Sequence, residues 1–249
     1  MTVPAAHRRR GVGTALLARI SDEARAAGRS VVTGEALAES PGARFALARG
    51  AVAGIGDIRR ALDVGDCPPE RRSALRAAAE PRAAGYRLVS WSGATPEEYL
   101  DGSAAMSQAM EDAPRNPGTE AERWDADRVR MTERAVLDRG IAAFSVAAIH
   151  DASGEMAALS QVAADEAGAP GWADQLITAV TRPHRGHRLG LLAKLAMLDL
   201  LAAQAPSVRR IVTTNAELNQ HMIAVNEQLG YRVTGRFLTW ELDLAAGTR

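Results

Sequence analysis

The sequence predicts an α/β protein with a mixed, α+β-like sheet, and three observations carry that prediction. Short apolar runs of strand length alternate with stretches of helical spacing along most of the 249 residues. Two of the runs are joined by Asp151-Ala152-Ser153-Gly154, a hairpin signal, so part of the sheet is antiparallel. One arrangement occurs twice: an apolar strand end, a basic glycine-containing turn, then a helix. Val3-Pro4-Ala5-Ala6-His7-Arg8-Arg9-Arg10-Gly11-Val12-Gly13 lines up with Val180-Thr181-Arg182-Pro183-His184-Arg185-Gly186-His187-Arg188-Leu189-Gly190, 177 residues on (180 against 3). The spacing becomes 180 (230 against 50) where Gly50 matches Gly230 and Leu62-Asp63-Val64 matches Leu242-Asp243-Leu244. Residues 3–64 therefore read as a second copy of 180–244.

Taken in order, residues 14–27 have helical spacing through Ala15, Leu16, Ala18, Ile20 and Ala24, with Gly28 as the stop. Residues 30–37 read as a strand, 43–49 as a short helix ended by Gly50, and 58–64 as a second strand. A partly helical linker rich in Pro, Arg, Ala and Glu fills 67–84. A strand follows at 86–91, then a helix over 96–110 opened by a capping box of Thr95 and Glu98. After the loop Asp112-Ala113-Pro114-Arg115-Asn116-Pro117-Gly118 come a helix at 125–138, strands at 144–150, 155–164 and 172–181, a helix at 189–204, a strand at 210–215, a helix at 219–229, and one or two strands over 231–244. The domains predicted are a partial half-domain at 1–66, the linker at 67–84, and a complete domain at 85–249. Nothing before Val3 supplies the earlier strands of the first copy, which would leave a sheet edge open. The expectation is a true start further upstream, or else pairing of the fragment with the second domain or another chain.

Composition narrows the function. Basic and acidic residues balance at 30 each, which argues against a nucleic-acid partner. Lys194 is the only lysine. Cys67 is the only cysteine, so no intrachain disulfide and no cysteine metal cluster can form, and no metal is expected. There is no signal-peptide pattern and no apolar run of ~18 residues, so a soluble cytoplasmic protein with no membrane partner is predicted. A homodimer is allowed for. The doubled turn gathers free backbone N–H groups and positive charge at a helix start, where a phosphate can sit.

A strand ending in Val, an Arg five residues later, then R-x-x-G-x-G into a helix resembles the acyl-CoA motif of the GNAT superfamily of N-acetyltransferases. The element order of 86–244 is similar to that fold throughout. Thr213-Thr214-Asn215 through Asn219 to Asn226-Glu227-Gln228-Leu229-Gly230-Tyr231 resembles the family's last strand, helix and Leu-Gly-Phe stretch. The doubled layout resembles tandem members of the family. The resemblance implies acetyl-CoA as the acyl donor and a small primary amine as the acceptor. It implies that the amides of Arg185, Gly186, His187, Arg188, Leu189, Gly190 and Leu191 hold the coenzyme pyrophosphate, with Thr181 and Arg182 beside them. Val180 would hold the pantetheine arm or thioester carbonyl through its main chain, and Asn219 would reach the coenzyme.

Three positions depart from the family pattern. Arg188 stands where the motif has its first glycine. Asn226 stands where the family often has a tyrosine acid, and Leu176 where it often has a carboxylate base. An alkyl ammonium of pKa ~10.4 must lose a proton before it attacks a thioester, whereas a thiol of pKa ~8.5 can leave as thiolate without an acid. Asp174, two residues before Leu176 on the same strand face, and Asp112, in the acidic loop, are the candidate bases, with Glu111 and Asp165 behind them. His184 and His187 read as solvated residues on the phosphate side, His150 and His221 as surface or packing histidines. Glu120, Glu122, Arg128, Arg130 and Glu133 read as a solvated helix face. A coenzyme-A-binding sensor with weak or no catalysis is the rival function, and residues 1–66 are expected to be structural rather than catalytic.

Overall fold

The computed structural model describes residues 1–110, 122–217 and 219–245. Among them are eight strands and seven α-helices, arranged as two compact units. One unit takes 1–57 and 236–245 of the described residues, and the other takes 58–110, 122–217 and 219–235. No helix of the described residues is long and apolar enough to cross a membrane.

The larger unit is built on β3 (Tyr86–Ser92), β4 (Ala142–His150), β5 (Met156–Ala164) and β6 (Trp172–Val180), joined as an antiparallel meander. β7 (Arg210–Ala216) lies parallel to β6, and β2 (Val52–Asp63) is its other neighbour. The sequences of β4 and β5 are almost continuously apolar because both faces are covered. On one face Phe144, Val146 and Val162 pack with α6 (Leu189–Gln204); on the other, Ala147, Ile149 and Leu159 pack with Met106 of α4 (Leu100–Met110). Helix α6 is apolar all round, and ten of its residues are buried, as such a helix requires.

The segment between the expected domains folds as part of this core. Residues of α3 (Pro69–Ala79) face α6, where Arg72 (2.7 Å) and Arg76 both bond Asp199. Cys67 and Ala79 are buried in the same cluster. Helix α5 (Ala126–Leu137) is capped by Asp125, which accepts from the Arg128 amide at 2.8 Å. Its Arg130 and Glu133 are not a solvated face. Glu133 accepts from the Thr95 amide (2.9 Å) and Arg130 donates to the Thr95 carbonyl (2.6 Å), both side chains being largely buried. The capping box at Thr95 does not form for the same reason: the Thr95 amide is taken by Glu133, and the first turn, Glu97–Tyr99, is 3-10 with Pro96 at its cap.

In the smaller unit, α1 (Val12–Ala26) and α2 (Pro41–Ala48) accompany β1 (Val31–Leu37). β1 pairs antiparallel with β8 (Arg232–Asp243), from Val31 opposite Asp243 to Leu37 opposite Phe237. Trp240 of β8 is buried against Ala43 and Ala51. The two sequence-matched segments thus exchange their last strands. The strand from the first segment supplies Ile58, Ala61 and fully buried Leu62 to the larger unit, where Leu62 joins Leu229 and Tyr231, while the strand from the second segment completes the smaller unit.

Leu62→Ala empties a site that only the first segment can fill in the larger unit. It should lower stability by ~2–5 kcal/mol in urea unfolding followed by tryptophan fluorescence. A change under ~0.5 kcal/mol would mean that the strand is not held in this core.

Candidate active site

The turn between β6 and α6 gathers the basic and glycine residues that the sequence singles out, and its geometry follows from two residues of positive φ. The Val180 carbonyl accepts from Arg185 Nε at 3.3 Å, which folds the 3-10 turn Arg182–His184 back on the strand end. Thr181 donates its amide to Ala157 (3.0 Å). Gly186 (φ 88) and Arg188 (φ 58) then turn the chain into α6. Arg188 therefore takes the backbone conformation that a glycine would supply, so its replacement of the motif glycine leaves the turn in place at a local cost. The first helical amide to reach a backbone carbonyl is that of Leu192, which donates to Arg188 at 3.1 Å. The amides of Leu189, Gly190 and Leu191 precede the ladder and point out of the positive end of the helix. A β-carbon on Gly190 would stand 3.6 Å from Val180 Cγ2 and 4.0 Å from Met222 Cε, so the strand end and the helix start lie in contact there. Such a helix start can hold an anionic group.

The first segment repeats the backbone course of this turn. Arg8 Nε donates to the Val3 carbonyl at 3.0 Å, as Arg185 does to Val180. Arg9 (φ 60) and Gly11 (φ 82) are the left-handed pair, so Arg and Gly have changed places relative to Gly186 and Arg188. The Ala15 amide donates to Gly11 as that of Leu192 does to Arg188. Gly13 faces Val3 and Phe45 where Gly190 faces Val180 and Met222. A cavity of about 1100 Å³ adjoins this first turn, lined among others by Arg8, Gly11, Gly13, Phe45 and Arg49. Sequence alone pointed to a structural role for 1–66; the cavity gives this turn room for a ligand.

β6 and β7 are paired only from Trp172 to Asp174, opposite Arg210 to Val212. A bulge leaves Leu176 without a partner on β5, between Gln175 opposite Val162 and Ile177 opposite Gln161. Beyond it β6 runs to Val180 with no further ladder to β7, and its backbone groups there can take an extended, amide-containing chain. Asp174 is exposed and sits on the last rung before the strands part; Leu176, in the bulge, is 54% exposed. Asp112 and Glu111 lie outside the described residues. Asp165 is held in a local turn, accepting from the Gly168 amide at 2.8 Å. Asn219 caps α7 (Gln220–Leu229), accepting from the Met222 amide at 3.2 Å. His187 Nδ1 meets the Arg82 carbonyl (2.9 Å) and His184 Nδ1 meets the Tyr86 hydroxyl (2.8 Å), so neither is simply solvated.

Sequence reasoning passed over one polar chain. Lys194 Nζ, buried in α6, donates to Asn226 Oδ1 at 2.9 Å, and Asn226 Nδ2 donates to Asn215 Oδ1 at 2.8 Å at the end of β7. Asn226 is wholly buried, and the Lys194 ammonium lies 4.6 Å from the Tyr231 ring centre. The available signal was the only lysine of the chain, set in a helix otherwise apolar on every side. Burial lowers the Lys194 pKa to about 7 and pushes the Tyr231 hydroxyl above its usual range.

A left-handed turn feeding a buried helix, beside a parallel strand pair that opens, is the architecture of an acyl-transferring α/β protein. The chain is 32% identical to a tandem GNAT protein from the clavulanic acid biosynthesis pathway, solved without AcCoA, over 99% of this chain and 74% of that one, with a TM-score of 0.80. It shares the fold of GCN5-related N-acetyltransferases from Sphaerobacter thermophilus (20% identity, 97% and 71% of the two chains, TM-score 0.60) and Kribbella flavida (18%, 90% and 73%, TM-score 0.54). No family model and no curated protein matches. The chain belongs to the GNAT superfamily.

Below pH 7 Lys194 is protonated both folded and unfolded; above it the folded chain releases a proton that the unfolded chain keeps up to ~10.4. The unfolded state then binds more protons, so stability rises with pH. The stability of wild type minus that of Lys194→Met should climb by up to ~1.4 kcal/mol per pH unit between about pH 7 and 9, measured by urea unfolding. A flat difference would mean that Lys194 is not buried as a titrating group.

Proposed function

We propose that this protein transfers an acetyl group from acetyl-CoA to a primary amine of a small metabolite by direct attack on the thioester. The observation that carries this is the run of unladdered amides at the start of α6, beside the point where β6 and β7 part. The amides from Arg185 to Leu191 hold the pyrophosphate. Val180 offers its main chain to the pantetheine arm, and Asn219, at the start of α7, reaches the coenzyme. Asp174 takes a proton from the ammonium of the acceptor, with Asp112 as the second candidate base. The amine nitrogen then forms a bond to the thioester carbonyl carbon, and the carbon–sulfur bond breaks with the electron pair leaving on sulfur as thiolate. A thiol of pKa ~8.5 needs no strong acid to leave, which suits a chain with Asn226 at the usual acid position.

On the same reading the chain is a tandem protein, with a partial copy at 1–66, a joining segment at 67–84 and a complete copy at 85–249. The matched backbone torsions and hydrogen bonds of the two turns support it. One observation favours the rival, a coenzyme-A-binding module with little catalysis: Asn226 is fully buried, with its amide oxygen and nitrogen both engaged by Lys194 and Asn215.

Acetyl-CoA at a hundredfold excess over its Kd should stabilise the protein by ~2.7 kcal/mol in thermal unfolding, and Gly190→Glu, which puts a carboxylate among the phosphate amides, should abolish the effect. The absence of any shift in folded wild type would remove the coenzyme site. Steady release of free thiol with any amine, slowed in Asp174→Asn, separates the enzyme from the rival; binding without thiol release leaves only the rival.

A further inference from the structure

A second group of side chains, outside the acyl-transfer chemistry, converges on the outer side of the same turn. His150 ends β4, Glu155 stands one residue before β5, and His184 closes the 3-10 turn that leads to α6. One ring nitrogen from each histidine and one carboxylate oxygen of Glu155 lie within 4.8 Å of one another. The rings of His150 and His184 are 5.0 Å apart, and Tyr86 packs against both, at 5.1 and 5.6 Å.

The surroundings orient these groups as a metal site does. The Tyr86 hydroxyl meets His184 Nδ1 at 2.8 Å, which turns Nε2 toward Glu155 Oε2, 3.6 Å away. Ser153 Oγ meets His150 Nδ1 at 2.9 Å and donates to Glu155 Oε2 at 3.0 Å. Each histidine thus has its Nδ1 engaged by a hydroxyl, a contact that fixes its ring orientation. The 3.6 Å separation is too long for a good hydrogen bond. Around a tetrahedral ion with ligand bonds of ~2.0–2.1 Å, ligand atoms stand ~3.4 Å apart, so from a spread of 4.8 Å the group must contract by up to ~1.4 Å at its widest. Glu155, whose side chain is 69% exposed, is free to adjust, while His184, 12% exposed, is held by its neighbours. Two imidazoles and one carboxylate suit Zn²⁺ among the common divalent ions, with solvent at the remaining position.

We propose that His150, Glu155 and His184 bind one zinc-class divalent ion that fastens the β4–β5 hairpin turn to the turn entering α6. This departs from the expectation of no metal drawn from sequence, where the pattern is hidden because His184 is far from the other two ligands. The proposal rests on this cluster alone and stands or falls apart from acyl transfer.

Co²⁺ added to chelator-treated protein should bind at one equivalent with the visible absorption of a four-coordinate site, and Zn²⁺ should displace it. His150→Ala and Glu155→Gln should each lose that spectrum while keeping the wild-type circular dichroism; Glu155 is exposed, so its variant will fold. Tyr86→Phe, which removes only the outer hydroxyl, should weaken affinity by about 10- to 100-fold. No four-coordinate spectrum in wild type, or a spectrum unchanged in both Glu155→Gln and His150→Ala, would overturn the site.

Discussion

The passage from β6 into α6 is the constraint on which the rest of the larger unit depends. A helix leaves its first amides without carbonyl partners, and a buried helix must leave them facing something that can accept. Here two residues with positive φ, Gly186 and Arg188, direct that end outward, while the Arg185 guanidinium returns to the Val180 carbonyl and fixes where the strand stops. Everything behind the turn is apolar packing. Leu189 sits on Ala148, Ala157 and Ala158, whose small side chains let the helix lie close to the strands. The polar end is thus presented by a rigid base, which is what anion recognition through backbone amides requires.

The same helix carries an electrostatic oddity. A lysine buried among leucines is costly unless its charge is shared or lost. Lys194 does some of both. It donates to Asn226, lies against the Tyr231 ring, and has its pKa brought to about 7. Because Asn226 passes the interaction on to Asn215, the orientation of a side-chain amide at the end of β7 depends on a group in the middle of α6.

The fold was largely legible in the sequence because its strands and helices have strong patterns. α6 spans the residues that its apolar run predicts, and the αL glycines Gly28 and Gly50 follow helix ends where they were expected to. The failures are instructive. Arg188 in a left-handed conformation could not be read from its residue type, which gives no hint of φ > 0. The Thr95 capping box was a sound local pattern overridden by Arg130 and Glu133, thirty-odd residues later, which take both backbone groups of Thr95. The strand exchange was hidden for a different reason: Leu62-Asp63-Val64 and Leu242-Asp243-Leu244 match, so the pattern says that each can end a sheet and not which one. Of the candidate site, the turn into α6 was legible from its Arg and Gly spacing. Asp174 was singled out by strand parity, and the bulge at Leu176 interrupts that alternation. The Lys194 chain and the histidine cluster were missed because their members are adjacent only after folding.

Exchange of last strands has a consequence for how the chain is made. β1 is complete by Leu37, but its partner, 237–243, is translated about 200 residues later (237 against 37). During synthesis the early residues can form helices α1 and α2 and the turn before α1, which are local, and yet must keep an unpaired edge until that strand emerges. An open strand edge is a template for wrong partners, so the nascent protein is most vulnerable between those two moments, and a holding chaperone would matter more to it than to a protein whose halves close in order.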